Sequence, residues 1–225
     1  MKKLLLVTVV AAAAAFPTAA LGGTFTGVVV GKGGGTLAVA AKTGLVRAVP
    51  SRANLRLGAR VRVNGTAVRS FGVASRARVR GVVLRRVGRT MFLAAGQNLL
   101  AMRAATAPAA GTIVNANVSI AGGALTEQSL QVVGHDDRVT VQAPVTAVGP
   151  GTITVTVNGQ PLTLRLPAGI QLPASLVGQM VTLTVKVEDE NEVEVENEPN
   201  DDNDHGDHHG GDDGGHGGDG GDGDG

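Results

Sequence analysis

The feature that most constrains this chain is a β-strand pattern that occurs three times. The first copy covers residues 24–63, where apolar runs rich in valine alternate with glycine-containing turns. In every copy a small residue precedes a threonine by nine positions: Gly27 and Thr36, Gly81 and Thr90, Ala143 and Thr152. Further along, a glycine precedes a valine by three positions: Gly58 and Val61, Gly111 and Val114, Gly178 and Val181. Two equal spacings in three copies predict one structural unit used three times.

The local pattern within each copy predicts strands rather than helices. Segments such as TLAVA, TITVTV and VTLTVKV are rich in β-branched residues and alternate with period two between turn signals. Asn64-Gly65 and Asn158-Gly159 are typical of tight hairpin turns, because both residue types accept positive φ angles. We expect the closing strands of the three units near residues 75–80, 127–133 and 192–196. A short helix at residues 101–110 is the alternative, and it would argue against a closed second unit.

Five short strands in about fifty residues are typical of small β-barrels. The predicted fold is therefore all-β, with three tandem five-stranded OB-like or SH3-like barrels. Units of this size bury little core alone, so we expect them to pack on one another. The predicted modules cover residues 23–74, 75–134 and 135–197.

The first 22 residues have the organisation of a secretory signal peptide. Lys2 and Lys3 precede an apolar run over residues 4–15, and small residues follow near Ala20. The alternative is a retained N-terminal membrane anchor. No later segment is long and apolar enough to predict a transmembrane span. We therefore expect the mature chain outside the cytoplasm, in the cell envelope or secreted.

The motif Gly-x-Val, turn, Thr-Leu-x-Val, turn, apolar strand, Leu-Gly-x-x-Val-x-Val-x-Gly resembles a family of exported bacterial β-barrel repeats of unassigned function. The matching residues are 27–30, 36–39 and 57–65, with a similar set at 152–157 and 177–185. The second copy differs most from this motif, because a longer segment precedes Gly111. The resemblance implies an OB-like barrel and brings no catalytic residues.

Charge divides the chain into a basic body and an acidic end. Residues 23–187 carry 18 Lys and Arg but only the carboxylates Glu127, Asp136 and Asp137. This asymmetry indicates a polyanionic partner or an acidic tail with its own role. Arginine suits such a partner, because its planar fork matches phosphate, sulfate or carboxylate. The candidate polyanion-binding residues are Arg60, Arg62, Arg76, Arg78, Arg80, Arg85 and Arg86.

The bland alternative for these arginines is a solvated outer face that resists edge-to-edge aggregation. Sequence-specific nucleic-acid recognition is disfavoured, because single-strand readers usually stack bases on aromatic rings. The body keeps only Phe25, Phe71 and Phe92, and each is as easily a core residue. Binding of a polyanion should therefore be electrostatic and sensitive to salt.

Catalysis is not predicted. The chain has no cysteine, which excludes a thiol nucleophile and a Cys-based zinc site. His135 stands beside Asp136 and Asp137, which could serve as a base or metal site, but a polar linker between two modules explains the same residues.

Residues 198–225 contain only Glu, Pro, Asn, Asp, His and Gly, so we expect a disordered tail. Its oxygen ligands suit calcium, and its histidines suit zinc or nickel. The candidate metal ligands are Asp201, Asn203, His205, Asp207, His208, His209, Asp212 and His216. The sequence therefore predicts an exported, non-catalytic binding or scaffold protein with a basic β-barrel face, needing no cofactor. The alternative is divalent-metal binding through the tail, which could instead be a solubilising segment or fold over the basic face.

Overall fold

The computed structural model describes residues 23–187 in full and the backbone of residues 5–10. The described part is all-β, as predicted, and its one helical element is a 3-10 turn at Ala174–Leu176. The strands are β1 (Leu5–Val10), β2 (Thr24–Gly33), β3 (Thr36–Ala40), β4 (Val46–Pro50), β5 (Ala59–Asn64), β6 (Ala67–Val73), β7 (Arg76–Val87), β8 (Thr90–Ala95), β9 (Asn98–Arg103), β10 (Thr112–Ala121), β11 (Ala124–His135), β12 (Arg138–Gly149), β13 (Thr152–Val157), β14 (Gln160–Arg165) and β15 (Met180–Val187).

The strands form two sheets. The smaller sheet has the order β4-β3-β2-β5-β6. The larger sheet has the order β11-β10-β7-β8-β9-β12-β13-β14-β1-β15, and it curls because β11 also pairs with β9 and β12 also pairs with β15. Within it, β9-β8-β7-β10-β11 and β14-β13-β12-β15-β1 follow the same sequence of neighbours as the smaller sheet.

Equivalent positions of the three strand sets share backbone details. The first strand of each set has a register irregularity against the second, between Val29 and Gly31, between Val83 and Arg85, and between Val145 and Ala147. The glycine that precedes the fourth strand has a φ near +86° each time, and its N–H donates to a carbonyl of the first strand. These bonds, each 2.8 Å long, join Gly58 to Val29, Gly111 to Val83 and Gly178 to Val145. A positive φ favours glycine, which explains why glycine occupies all three positions.

The β8–β9 hairpin and strand β3 are buried on both faces. In β8, Met91 and Leu93 belong to one core while Phe92 belongs to another. Strand β3 is similar, since Leu37 packs within the smaller sheet while Ala38 packs toward β8 and β9. The three cores therefore share strands, and the strand sets pack on one another as the small size of each predicts.

The predicted hairpins are confirmed. Strand β5 turns into β6 at Gly65, and β13 turns into β14 through Asn158 and Gly159, which have φ angles of 48° and 77°. Positive φ at two successive positions gives the turn the twist that flanking strands need.

The prediction that residues 75–80 close the first strand set is wrong, and the alternative of a helix at residues 101–110 is excluded. Residues 75–80 do not close the first strand set, because β6 has that place and Arg76 begins β7, which pairs with β8 and β10. Residues 101–110 form no helix, since β9 continues to Arg103 and irregular chain follows. The strand expected at residues 127–133 is confirmed within β11, and residues 192–196 lie outside the described residues.

The close approach of β7 to β8 gives a testable prediction. A Cβ at Gly81 would lie 2.6 Å from the Ala94 carbonyl oxygen, so we expect Gly81→Ala to lower the free energy of unfolding by about 1–3 kcal/mol. The measurement is chemical denaturation followed by circular dichroism. Gly33→Ala is the matched control, because nothing lies within 4 Å of its added Cβ. Equal stability of the two variants would contradict the close approach.

Candidate basic cleft

The structure brings part of the predicted arginine set into one cleft between the smaller sheet and the β7-β10-β11 part of the larger sheet. The cleft has a volume of about 890 Å³. Four cationic side chains line it: Lys42, Arg60, Arg76 and Arg78. We call this cavity the basic cleft. Among the described residues that line it, none is acidic. Four like charges around one cavity repel one another, which favours an anion between them.

Period-two alternation explains why these arginines face outward. Val61 and Val79 are fully buried, while Arg60, Arg76 and Arg78, at even spacings along β5 and β7, are exposed. The same strands therefore supply apolar side chains to the core and guanidinium groups to the surface.

Strands β10 and β11 complete the wall with uncharged polar groups. Asn117 lies opposite Arg78 in the register, and its Oδ1 accepts a hydrogen bond of 3.3 Å from the Arg78 Nε. The Asn117 Nδ2 in turn donates to the Ser129 Oγ at 2.8 Å. This chain of bonds orients one edge of the Arg78 guanidinium group. Its two terminal nitrogens have no hydrogen-bond partner among the described residues and remain available for an oxyanion.

Glycines lie next to the stems of two cleft arginines, Arg78 and Arg60. A Cβ at Gly44 would lie 3.0 Å from the Arg78 Cγ, so the absence of a side chain there lets the Arg78 stem pack against the turn after β3. Gly72 lies opposite Arg60 in the pairing of β5 with β6. The smaller sheet therefore accommodates both long side chains at the rim of the cleft.

The aromatic residues divide in a way that the sequence left open. Phe92 is buried, and Phe25 is half-buried with the Arg47 guanidinium 4.9 Å from its ring centroid. Phe71 is 58% exposed and lines the basic cleft. Phe71 therefore places an exposed aromatic ring beside the cationic groups, in a cleft that aliphatic residues such as Val28 and Val118 also line.

The other predicted arginines lie elsewhere. Arg62 is exposed on β5 and lies directly opposite Arg69. Arg80 lines a separate depression with Asp136 and Arg138. Arg85 donates to the Thr163 carbonyl at 3.4 Å, and Arg86 donates to the Ala105 carbonyl at 2.8 Å. These hydrogen bonds are local contacts between neighbouring segments of the fold.

Strands β5 and β7, which carry the two alternating arginine sets, do not pair with each other. Strand β5 pairs with β2 and β6, and β7 pairs with β8 and β10. Their arginines meet across the cleft instead of along a ladder. Sequence reasoning missed Lys42 and Asn117, because neither belongs to an alternating arginine pattern, and only the pairing of β7 with β10 brings Asn117 to Arg78.

The polar residues between the second and third strand sets form no metal cluster. His135 ends β11, and Asp136 and Asp137 follow it, all three exposed. The His135 ring packs against Gly111, where an added Cβ would meet it. The Asp136 Oδ1 accepts a hydrogen bond of 3.1 Å from the Arg138 N–H. Among residues 23–187 no group of three His, Cys, Asp or Glu side chains could hold a metal ion.

The candidate metal ligands of the tail, from Asp201 to His216, lie outside the described residues. Metal binding there stays a prediction from sequence. No helix in the described part of the chain has the length and apolar content that crossing a membrane requires.

No protein-family model, no curated protein and no solved structure matches this sequence. The resemblance to exported β-barrel repeats therefore stays a prediction.

Proposed function

We propose that this chain is an exported, non-catalytic binding or scaffold protein of the cell envelope or extracellular space, and that its basic cleft binds an anionic polymer. The observation that carries the proposal is the convergence of Lys42, Arg60, Arg76 and Arg78 on one cavity, where the described lining residues include no carboxylate. These residues come from separate segments of both sheets. Arginines distributed at random over the surface would not gather around one cavity in this way.

The architecture that holds the cleft is three copies of one small OB-like barrel. Support comes from the common order of neighbouring strands and from the equivalent glycine hydrogen bonds near the start of each fourth strand. In this arrangement the cleft lies between the first and second copies. Ligand sites occur preferentially at the interfaces between domains, which is where this cleft lies.

The chemistry of the cleft favours phosphate, sulfate or carboxylate groups. Guanidinium groups bind such oxyanions through two parallel N–H donors, and charge-assisted hydrogen bonds of this kind are roughly twice as strong as neutral ones. Phe71 is the exposed aromatic residue of the cleft, so stacking contributes little compared with charge. The binding is therefore electrostatic and weakly selective.

The acidic end of the chain competes for the same surface. Residues 188–225 carry 16 carboxylates, against 18 basic side chains in residues 23–187. The tail is covalently attached, so its local concentration at the cleft is high, and a free polyanion must displace it.

Divalent-metal binding through the tail is the alternative function, favoured by four histidines and nine aspartates within residues 198–225. The two functions separate experimentally. Polyanion binding at the cleft survives a chelator and depends on the arginines, whereas metal binding is lost when residues 198–225 are removed.

Replacing the cleft arginines tests the proposed site. In the chain spanning residues 23–197, we expect Arg60→Gln, Arg76→Gln and Arg78→Gln together to weaken binding of a polyphosphate of defined length. The slope of log K against log salt should become smaller by about two, because fewer counterions are released. Fluorescence titration at several salt concentrations measures both quantities.

The matched control for this triple variant removes equal charge elsewhere, through Arg52→Gln, Arg56→Gln and Arg89→Gln, all exposed residues that do not line the cleft. If both triple variants lose affinity equally, binding follows net charge and the basic cleft is not the site.

Removing the tail tests the competition. The chain of residues 23–197 has 18 basic and 9 acidic side chains, a formal charge of +9, whereas residues 23–225 sum to −1. We expect the shorter chain to bind polyphosphate more tightly at low salt, with the difference shrinking as salt screens the tail. Equal affinity of the two chains at low salt would show that the tail does not occupy the cleft.

A further inference from the structure

Strand β1 lies in a position of the larger sheet that a later part of the chain could fill. Its backbone runs antiparallel to β15 over six residue pairs and parallel to β14. In the second strand set, β11 has the two equivalent neighbours, since it runs antiparallel to β10 and parallel to β9. We call the place between β14 and β15 the fifth-strand position.

The register of the two fifth strands is equivalent as well. Thr126 of β11 lies opposite Arg103, the last residue of β9. Leu6 of β1 lies opposite Arg165, the last residue of β14. The third strand set is therefore completed by a segment from the far N-terminus, where the second is completed by the strand that directly follows its fourth.

Removal of an N-terminal signal peptide would leave this position open. The edges of β14 and β15 would then present unpaired N–H and C=O groups, which favour pairing with any available strand. The buried residues Leu183, Val185 and Val187 of β15 would also lose the strand that pairs with them.

We propose that residues 192–196 take the fifth-strand position once residues 1–22 are removed. The segment reads Glu-Val-Glu-Val-Glu and begins five residues after the end of β15. A hairpin from β15 would make the segment antiparallel to β15. Strand β1 has this direction relative to β15, and β11 has it relative to β10 in the second strand set. This inference rests on the proposed export, because the position becomes vacant only when the N-terminal segment leaves.

The turn that precedes the segment fits a defined register. Asp189-Glu190-Asn191 can form a three-residue hairpin loop, in which the third residue adopts a left-handed conformation that asparagine accepts. This loop places Val193 opposite Val187 and Val195 opposite Val185. Both valines then face the core beside buried partners.

Charge supports the same register. Glu194 would lie opposite Lys186, and the structure places Lys186 and Arg165 on either side of the Leu6 position. Both cationic residues are exposed, and Lys186 also lies opposite Arg138 on β12. A glutamate at this position would lie beside two cationic side chains, and opposite charges on neighbouring strands attract each other.

Engineered disulfides test the proposal directly, because the chain contains no cysteine of its own. In residues 23–225, we expect Lys186→Cys with Glu194→Cys to oxidise readily to an intramolecular disulfide, since opposed residues on paired strands have Cβ atoms close enough to bridge. Lys186→Cys with Val193→Cys is the matched control, because a one-residue shift turns the side chain to the other face. Non-reducing electrophoresis and mass spectrometry measure the disulfide yield.

A stability measurement checks the result without new cysteines. We expect Val195→Asp to lower the denaturation midpoint of residues 23–225 and to remove hydrogen-exchange protection from β15. The same substitution should change neither quantity in residues 1–225, where β1 occupies the fifth-strand position. An unchanged midpoint in that longer chain also shows that the substituted protein folds. Val195→Thr, which keeps the β-branched shape, is the control and should have the smaller effect.

Two results would overturn the proposal. One is preferential oxidation of the Val193 pair, or of neither pair, in residues 23–225. The other is an unchanged midpoint and unchanged β15 exchange in the Val195→Asp variant of that chain. Export is checked separately by the N-terminal residue of the secreted protein, so a failure of export and a failure of strand replacement are distinguishable.

Discussion

The rest of this structure depends on the burial of the β8–β9 hairpin on both of its faces. Met91 and Leu93 pack into one core, and Phe92 and Leu99 pack into the other. A strand that is apolar on both faces cannot be stable on a surface, so it requires a layer on each side. The third strand set covers one face, and the other face packs against β7, β10 and β11 of the hairpin's own strand set together with first-set residues such as Val30 and Ala38. The whole assembly is therefore cooperative, although each set alone is too small to bury a sizeable core.

This shared packing also explains where charge can go. Strands β3, β8 and β9 have few exposed positions, so the basic side chains concentrate on strands with one face in water, such as β5 and β7. Two such strands belong to different sheets, and their outer faces meet at the basic cleft. The clustering of cations is a consequence of layer packing combined with an almost complete lack of carboxylates in the body. An anionic partner would relieve the resulting repulsion.

Edge closure connects the cleft to the proposed strand replacement. Small curved sheets have to cover or pair their edges, and β11 closes the second strand set through β9. The third set reaches the same closure through β1, whose residues also have the organisation of a signal peptide. If residues 192–196 replace β1, the acidic end of the chain is anchored to the larger sheet at the point where the tail begins. The tail that competes with a free polyanion would then extend from a fixed point on that sheet.

The sequence by itself determined the all-β class, the hairpins at Gly65 and Asn158, and the outward direction of the alternating arginines. These features depend on local φ preferences and on the two-residue period of a strand, which neighbouring residues encode. Only the tertiary structure decided that residues 75–80 open β7, that Asn117 orients Arg78, and that Arg62 lies apart from the cleft. Those outcomes depend on which strands pair across long stretches of chain. Valine-rich strands of similar composition carry little local information about their partners, so the packing of whole layers makes that choice.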